Sequence, residues 1–362
     1  MPADDDAPFP YMRWAKRHLT DHGGSNLGMS GIAALTSREV PLPASLDWWA
    51  PEGEHGDPDL RTAIGARYGV PPDHVFATVG SSLANFLVYL AEARGAAVAV
   101  ETPGYEALLR LPEAVGARLS TFRRVEERGW RIDPDDLRGA VGTGTRLLVV
   151  TDLHNPTGAR LHPDDLALLI EEAERVDAAV LVDEVYLELD LTPRRTAALA
   201  HPRVIVTNSL TKAHGLGGLR VGWILGSPGR IERIARWNDL VCPAHPVASV
   251  AVARAFLPRA DAFLARTLAA IPGRLETVDA WVRSRRDVTW CRPDGGITGF
   301  LRLEGGLDGD RLAEHAFGAH GVRVVPGSFF QSPRHVRISY GLPEARLAEG
   351  LVALGRAIED LT

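Results

Sequence analysis

Short apolar runs alternate with amphipathic stretches through the middle of the chain. The apolar runs lie at residues 96–100, 147–150, 179–182, 204–206 and 221–225. Between them, stretches such as residues 165–176 bring their apolar side chains onto one helical face. Strands that are buried on both faces and separated by helices predict an α/β fold with a mainly parallel sheet.

The pattern changes after about residue 240. Longer helical patterns at 247–256 and 263–284 precede short strands near 299–303 and 335–339 and a final helix at 343–359. This order predicts a smaller α+β domain. We therefore expect three parts: an N-terminal segment (1–45) that packs on the small domain, a large domain (46–240) and the small domain itself (241–362).

Composition narrows the function mainly by exclusion. The 362 residues are 45% hydrophobic and carry a formal net charge of −6, which offers no basic surface for nucleic acid or an anionic membrane. The N-terminus lacks a signal-peptide pattern, and no apolar run approaches the roughly 18 residues that span a bilayer. Cys242 and Cys291 are far apart, outside any metal-ligand spacing. We expect a cytoplasmic protein with reduced thiols, no metal and a small-molecule substrate.

Unusual polar clusters follow several of the apolar runs. Ligands of open α/β sheets bind beyond the carboxyl ends of the strands, so these clusters predict one shared site. Its candidate members are Tyr105, Asn155, Asp183, Tyr186, Ser209 and Lys212.

Three motifs give these residues a family resemblance. They are Asn155-Pro-Thr-Gly, Asp183-Glu-Val-Tyr186, and Ser209-Leu-Thr-Lys212 followed by Gly-Leu-Arg220-Val-Gly-Trp. In order and spacing, roughly from residue 53 to 341, the chain resembles the class I/II aminotransferases, pyridoxal 5′-phosphate (PLP) enzymes of fold type I. The resemblance implies that PLP is the cofactor, that the substrates are an L-amino acid and a 2-oxo acid, and that the protein is a homodimer.

The chemistry of PLP accounts for the residue types. Lys212 would form the Schiff base, and a lysine that is partly desolvated near a cation such as Arg220 has the lowered pKa that a nucleophilic amine needs. A lone lysine would otherwise be a solvated surface cation. Asp183 would keep the pyridine nitrogen protonated, although an N-cap or turn residue is the structural alternative. The resemblance implies that Asn155 and Tyr186 donate hydrogen bonds to the phenolic oxygen of the PLP ring. For Tyr186, packing in the core is the structural alternative.

The phosphate requires backbone N–H groups and a cation. Gly80, Ser81 and Ser82 follow a strand-like run and open a helix, which makes an anion site. Ser209 adds a hydroxyl and Arg220 a guanidinium. Tyr105 would stack on the cofactor ring.

The substrate carboxylate requires a second cation. By resemblance this is Arg337, in Val336-Arg337-Ile-Ser-Tyr-Gly, with Arg302 and Arg323 as competitors. Asn155 would also contact the substrate.

The chain departs from its relatives near residue 51. Pro51 stands where many relatives carry a tyrosine that reaches the partner subunit's site. Substitutes for that tyrosine are Trp48, Trp49, Glu54 and His55, although core packing explains the tryptophans slightly better and a solvated loop explains the polar pair. Trp14 and Gly31, from the N-terminal segment, join His55 as candidate substrate-binding residues.

Three functions remain open at this stage. The leading interpretation is an aminotransferase in which Lys212 moves the α-proton as general base and acid. The departure around Glu54 and His55 motivates a second: a specialised PLP enzyme for elimination, cyclisation, decarboxylation or oxidation of an amino acid. A non-catalytic effector-binding domain is the third. A nicotinamide dehydrogenase is disfavoured because no Gly-x-Gly-x-x-Gly follows the first strand.

Overall fold

The computed structural model describes residues 9–19, 25–46 and 55–362. The helices in this part of the chain are α1 (Pro10–His18), α2 (Pro58–Tyr68), α3 (Gly80–Ala93), α4 (Glu106–Ala114), α5 (Pro134–Ala140), α6 (Pro163–Arg175), α7 (Pro228–Val241), α8 (Val247–Phe256), α9 (Ala260–Arg283), α10 (Gly309–His320) and α11 (Glu344–Glu359). The strands are β1 (Ser25–Asn26), β2 (Val75–Thr78), β3 (Ala97–Thr102), β4 (Arg118–Val125), β5 (Arg131–Ile132), β6 (Thr145–Thr151), β7 (Ala179–Asp183), β8 (Val204–Ser209), β9 (Gly222–Leu225), β10 (Val288–Thr289), β11 (Thr298–Leu303), β12 (Val322–Arg323), β13 (Val325–Pro326) and β14 (His335–Ser339).

An eight-stranded sheet forms the centre of the molecule, in the order β2-β9-β8-β7-β6-β3-β4-β5. The neighbours from β8 to β4 are parallel, whereas β9 runs antiparallel to β8 and β5 antiparallel to β4. Every residue of β7, β8 and β9 is buried. This burial explains the unbroken apolar runs, and the predicted mainly parallel α/β sheet is confirmed.

Alternate residues of each strand face two separate apolar layers, because side chains of a strand alternate between its faces. On β6, Leu147 and Val149 pack into the layer that contains α3, α4 and α7. Leu148 and Val150 pack into the opposite layer, with α2, α5, α6 and α8. Within the described residues, helices therefore cover both faces of the sheet, which leaves its edges and strand ends for a ligand.

A second, four-stranded antiparallel sheet has the order β10-β11-β14-β13. It shares a core with α9, α10 and α11. The N-terminal segment is attached to this part of the molecule: β1 pairs with β12, and the Ser339 N–H donates to the Leu27 carbonyl at 2.6 Å. The exact domain limits stay a prediction. Within the described residues, no helix combines the length and apolarity that crossing a bilayer requires.

Candidate active site

The carboxyl ends of β6, β7 and β8 lie side by side, because these strands are neighbours in parallel register. The turn after β6 is fixed by Thr151, whose hydroxyl accepts the Asn155 N–H at 3.1 Å. Asp183 is the last residue of β7, and Ser209 the last of β8, three residues before Lys212. The structure thus brings Asn155, Asp183 and Lys212 to one end of the sheet.

Lys212 is a partly buried amine whose Nζ donates to Ser30 Oγ at 2.7 Å. Burial, assisted by the positive charges of Arg337 and Arg220 and opposed by Asp183, lowers the pKa of Lys212 to about 8. A larger neutral fraction at physiological pH makes this amine a competent nucleophile and base.

Asp183 is a buried carboxylate held in one orientation. Its Oδ2 accepts from Asn85 Nδ2 at 2.8 Å, and its Oδ1 accepts the Val185 N–H at 3.2 Å. Asn85 is itself oriented by the Thr207 hydroxyl, which donates to its Oδ1 at 2.6 Å. Burial raises the pKa of Asp183 to about 6, and these hydrogen bonds limit the rise. An N–H cation placed against this carboxylate would restore its charged form.

The N-terminus of α3 forms an anion cradle together with Arg220. Gly80 has a φ of +79°, and a Cβ there would lie 2.4 Å from Arg220 Nη2, so only glycine admits the guanidinium at this distance. A Cβ on Gly222 would likewise lie 2.8 Å from the Ser81 nitrogen. The Oγ atoms of Ser209 and Ser81 are 3.5 Å apart. Two hydroxyls, a guanidinium and the free N–H groups of a helix N-terminus fit a phosphate. Ser82 lies in the same first turn and is exposed.

Arg337 is fully buried on β14, and its guanidinium is held by neutral acceptors. Nη1 donates to Asn155 Oδ1 at 3.2 Å, and Nη2 donates to the Gly28 carbonyl at 2.9 Å and the Tyr11 hydroxyl at 3.2 Å. Among the residues that the structure describes, no carboxylate pairs with Arg337, and its Nε has no protein acceptor. A buried cation without a counter-ion costs several kcal/mol, so this position calls for an anionic ligand.

The two competing arginines are placed differently. Arg302 lies within 4 Å of three carboxylates, those of Glu126, Glu127 and Glu304. Arg323 lies over the ring of Phe317, 4.5 Å from its centroid. Arg337 is therefore the better candidate for binding a carboxylate.

The three aromatic residues predicted for the site are Tyr186, Tyr105 and Trp14, and each makes contacts that could not be predicted from the sequence. The Tyr186 hydroxyl donates to the Ser30 carbonyl at 2.6 Å, so its single proton is already used, and a donor role toward the cofactor would require it to turn. Tyr105 makes edge contacts with Phe9 and Tyr11. Trp14 stacks on His18 at 5.0 Å, and it is Tyr11, on the same helix α1, that reaches Arg337. The described contacts of Trp14 are ring contacts with its neighbours, and its role in substrate binding stays a prediction.

Two further candidates, Gly31 and His55, come from other parts of the chain. Gly31 lies close to Lys212, because the N–H of the next residue, Ile32, donates to the Lys212 carbonyl at 3.3 Å. His55 forms a 3.0 Å hydrogen bond with Glu232 of α7 in its own chain. Trp48, Trp49, Pro51 and Glu54 lie outside the described residues.

Sequence reasoning missed Tyr11 as an Arg337 ligand, and it missed Ser30 and Asn85 altogether. Only Asn85 left a signal, as a lone amide on the buried face of an otherwise apolar helix. Ser30 lies in an irregular segment without periodicity, and it reaches Lys212 only through the fold.

Comparison with known proteins decides the family. A model described as aminotransferase class I and II matches residues 53–354. The chain belongs to this family. Capreomycidine synthase of Streptomyces vinaceus is 33% identical over 84% of this chain and 79% of its own length. An aromatic amino acid aminotransferase of Mycobacteroides abscessus is 27% identical over 85% and 92%. The solved PLP-dependent cyclase OrfR is 25% identical, with a TM-score of 0.88 over 100% of this chain and 99% of that one.

These findings confirm the predicted family, the fold-type I architecture and PLP as the cofactor. The chain is a PLP-dependent enzyme of fold type I. Its relatives include both aminotransferases and enzymes named synthase or cyclase, so the family alone leaves the reaction open.

Proposed function

We propose that this enzyme removes the α-proton of an α-amino acid and closes a ring within that amino acid. The observation that carries an amino acid substrate is the buried Arg337, which has no carboxylate partner among the described residues and shares a site with the Lys212 amine. Ring closure is supported by the similarity to capreomycidine synthase over 84% of the chain and to a PLP-dependent cyclase over all of it.

The residues present fit PLP, and each has a proposed part. Lys212 carries the cofactor, and Asp183 faces its ring nitrogen. Gly80, Ser81, Ser82, Ser209 and Arg220 hold the phosphate, and Tyr105 stacks on the ring. Asn155 accepts from Arg337 through Oδ1, which leaves its Nδ2 to donate to the ring oxygen, and Tyr186 remains a proposed second donor there. PLP, when bound, supplies an electron sink for the pair left on the α-carbon.

The protein groups then account for binding and proton transfer. Arg337 holds the α-carboxylate bidentately once the carboxylate replaces its neutral acceptors, and this contact orients the α-hydrogen. Lys212 removes that proton, and Ser30 Oγ is placed to accept a hydrogen bond from the free amine.

Ring closure at Cβ needs a leaving group on that carbon and a nucleophile further along the same side chain, and a hydroxyl is the simplest leaving group. The C–O bond at Cβ breaks and the hydroxyl leaves with one proton as water. The nucleophile forms a new bond to Cβ and loses a proton, and Cα is protonated again. The net change is the loss of one water, without an oxidant or a second substrate.

Transamination is the second candidate, supported by the description of the family model and by relatives such as the aromatic amino acid aminotransferase. It would use the same residues, with Lys212 again as the group that removes and returns a proton. A 2-oxo acid would then be the second substrate.

One experiment separates these reactions. Purified enzyme is incubated with amino acids, including β-hydroxylated ones whose side chains carry a nucleophile, with and without 2-oxo acids. Products are followed by mass spectrometry. We expect a product lighter by one water, formed without an oxo acid. Turnover that strictly requires an oxo acid and yields a new one would establish transamination.

The carboxylate contact has its own test. Arg337→Gln should lower kcat/KM by a factor that corresponds to a loss of about 2–5 kcal/mol in transition-state stabilisation. Arg337→Lys should retain part of this stabilisation, because it keeps the positive charge but not the bidentate geometry. Unchanged kinetics in a folded Arg337→Gln variant would make Arg337 structural.

A further inference from the structure

Two histidines and an aspartate converge on the outer side of the four-stranded sheet, away from the motifs of the active site. His315 and His320 lie on α10, and Asp360 caps the C-terminus of α11. The Nε2 atoms of His315 and His320 lie 2.9 Å and 2.7 Å from the same atom, Asp360 Oδ2. One ligand atom from each residue lies within 4.8 Å of the other two.

The backbone positions of these residues are fixed by packing. Helices α10 and α11 meet through fully buried side chains, among them Leu312, Ala316 and Leu354. The Asp360 N–H is bonded to the Arg356 carbonyl at 3.0 Å, which ties the aspartate to the last turn of α11. A common metal ion would require the three side chains to rotate about these fixed backbone positions.

The donor set and its spacing suit a transition-metal ion. Two imidazoles and a carboxylate are ligands that Zn²⁺ and similar divalent ions prefer. Bond lengths of about 2.0–2.2 Å to a tetrahedral ion place its ligand atoms roughly 3.3 Å apart. The two Nε2–Oδ2 distances of 2.9 Å and 2.7 Å would lengthen by only about half an ångström to reach this value.

The surroundings keep the ligands usable. The side chains of His315, His320 and Asp360 are 32%, 19% and 47% exposed, so an ion has access and water can complete its coordination. Glu349 and Arg356, of opposite charge, line the cleft beside His320.

We propose that His315, His320 and Asp360 form a binding site for one divalent transition-metal ion of the Zn²⁺ class, which links α10 to the end of α11. This differs from the sequence-based expectation of no metal, which considered only the cysteines. The sequence separates His320 and Asp360 by forty residues, so the convergence exists only after folding.

The test uses the PLP-loaded enzyme, produced without a polyhistidine tag and freed of metal, and titrated with Zn²⁺ alone in a calorimeter. The variants are His315→Gln and His320→Gln. The matched control is His201→Gln, because His201 forms a 3.2 Å pair with Glu174 and belongs to no three-ligand group among the described residues. Cofactor absorbance reports whether each variant is folded.

We expect one equivalent of Zn²⁺ to bind the unmodified enzyme and the His201→Gln control. Binding should weaken by at least about a hundredfold in both site variants, since even indirect partners of a metal ligand change affinity by about 10–100-fold. Saturating Zn²⁺ should raise Tm by at least about 2 °C in the first two proteins and not in the site variants. Equal binding in all four proteins, or no saturable binding in the unmodified enzyme, would overturn the proposal.

Discussion

Lys212, which is partly buried, and Arg337, which is fully buried, lie in one site, and the charge of Arg337 affects the proton affinity of Lys212. Burial and the charge of Arg337 both lower the pKa of Lys212. A lysine with a lowered pKa loses its proton at lower pH, so neutral amine is available well below the usual value of about 10.4. Arg337, which we propose binds the substrate, therefore also helps to keep the Lys212 amine neutral before any substrate arrives.

We predict that attachment of PLP to the cofactor-free protein becomes half-maximal near pH 8. This midpoint is expected because burial and nearby charges lower the pKa of Lys212 to about 8. Replacing Arg337 with Gln removes one positive charge and should move this midpoint upward. Borohydride trapping at a series of pH values, followed by peptide mapping, measures both. Lys16 is the other lysine of the sequence and serves as an internal reference. A pyridoxyl group on Lys16, or a midpoint near pH 10, would contradict the assignment.

Asp183 provides a second prediction at this scale. Asp183→Asn should still bind PLP, because the phosphate cradle and Lys212 are unchanged, but turnover should fall by at least about a hundredfold since the ring nitrogen loses its anionic partner. Asn85→Ala should cause a smaller loss, because it removes only the hydrogen bond that orients the carboxylate. Near-normal turnover in Asp183→Asn would show that the partner of the ring nitrogen lies elsewhere.

At the scale of elements, the anion cradle depends on the absence of a side chain where β2 passes into α3. A methyl group on Gly80 would lie 2.4 Å from Arg220 Nη2, and its φ of +79° adds backbone strain. Gly95, just after α3, has a φ of +71°, and a methyl group there would have no atom within 4 Å. The two positions thus share the strain and differ in the contact with Arg220.

We predict that Gly80→Ala weakens PLP binding by at least about tenfold, because Arg220 must move away from the phosphate position. Both Gly80→Ala and Gly95→Ala should lower the free energy of unfolding by a comparable amount, because both introduce backbone strain. Gly95→Ala should keep its affinity for PLP. Fluorescence titration of the cofactor-free variants and their thermal unfolding separate the two effects. A parallel loss of affinity in both variants would mean that backbone strain, not the cradle, is responsible.

The elements also show what the sequence could predict. Residues at the ends of β6, β7 and β8 were predictable, because parallel neighbours place their carboxyl ends together whatever the details of packing. The spacing of Leu83, Phe86, Leu87 and Leu90 in the sequence predicts one apolar face for α3, and the structure agrees with this only in part. The structure buries Ala84, Leu87 and Val88 completely and leaves the other three half-buried, because Asn85 faces Asp183 at the sheet. The positions of Tyr11 and Ser30 depend on how the N-terminal segment docks, and local pattern carries no information about that docking.

At the scale of the whole molecule, the resemblance implies a homodimer, and the described surface offers places for a partner. Leu240 and Val241, at the end of α7, are 78% and 45% exposed, and Leu42 in the N-terminal segment is 59% exposed. Leu240 and Val241 are adjacent and so expose apolar surface together, which contact with another protein surface would cover. Residues 47–54, where a substitute for the missing tyrosine is expected, follow this segment directly in the chain.

We predict that the active enzyme is a homodimer whose sites are shared between subunits. Leu240→Glu should lower dimer stability, because it places a charge in an apolar contact, whereas Val352→Glu, at a 54% exposed position of α11, should leave it unchanged. Sedimentation velocity at assay concentration measures the dimer stability of both variants.

The sharing of sites between subunits is tested by mixing the Lys212→Ala and His55→Ala variants. If His55 acts in the partner's site, hybrid dimers contain one intact site and regain part of the activity. If His55 acts only within its own chain, through its contact with Glu232, mixing the two variants restores no activity. A fully active monomer in the sedimentation experiment would contradict the predicted dimer itself.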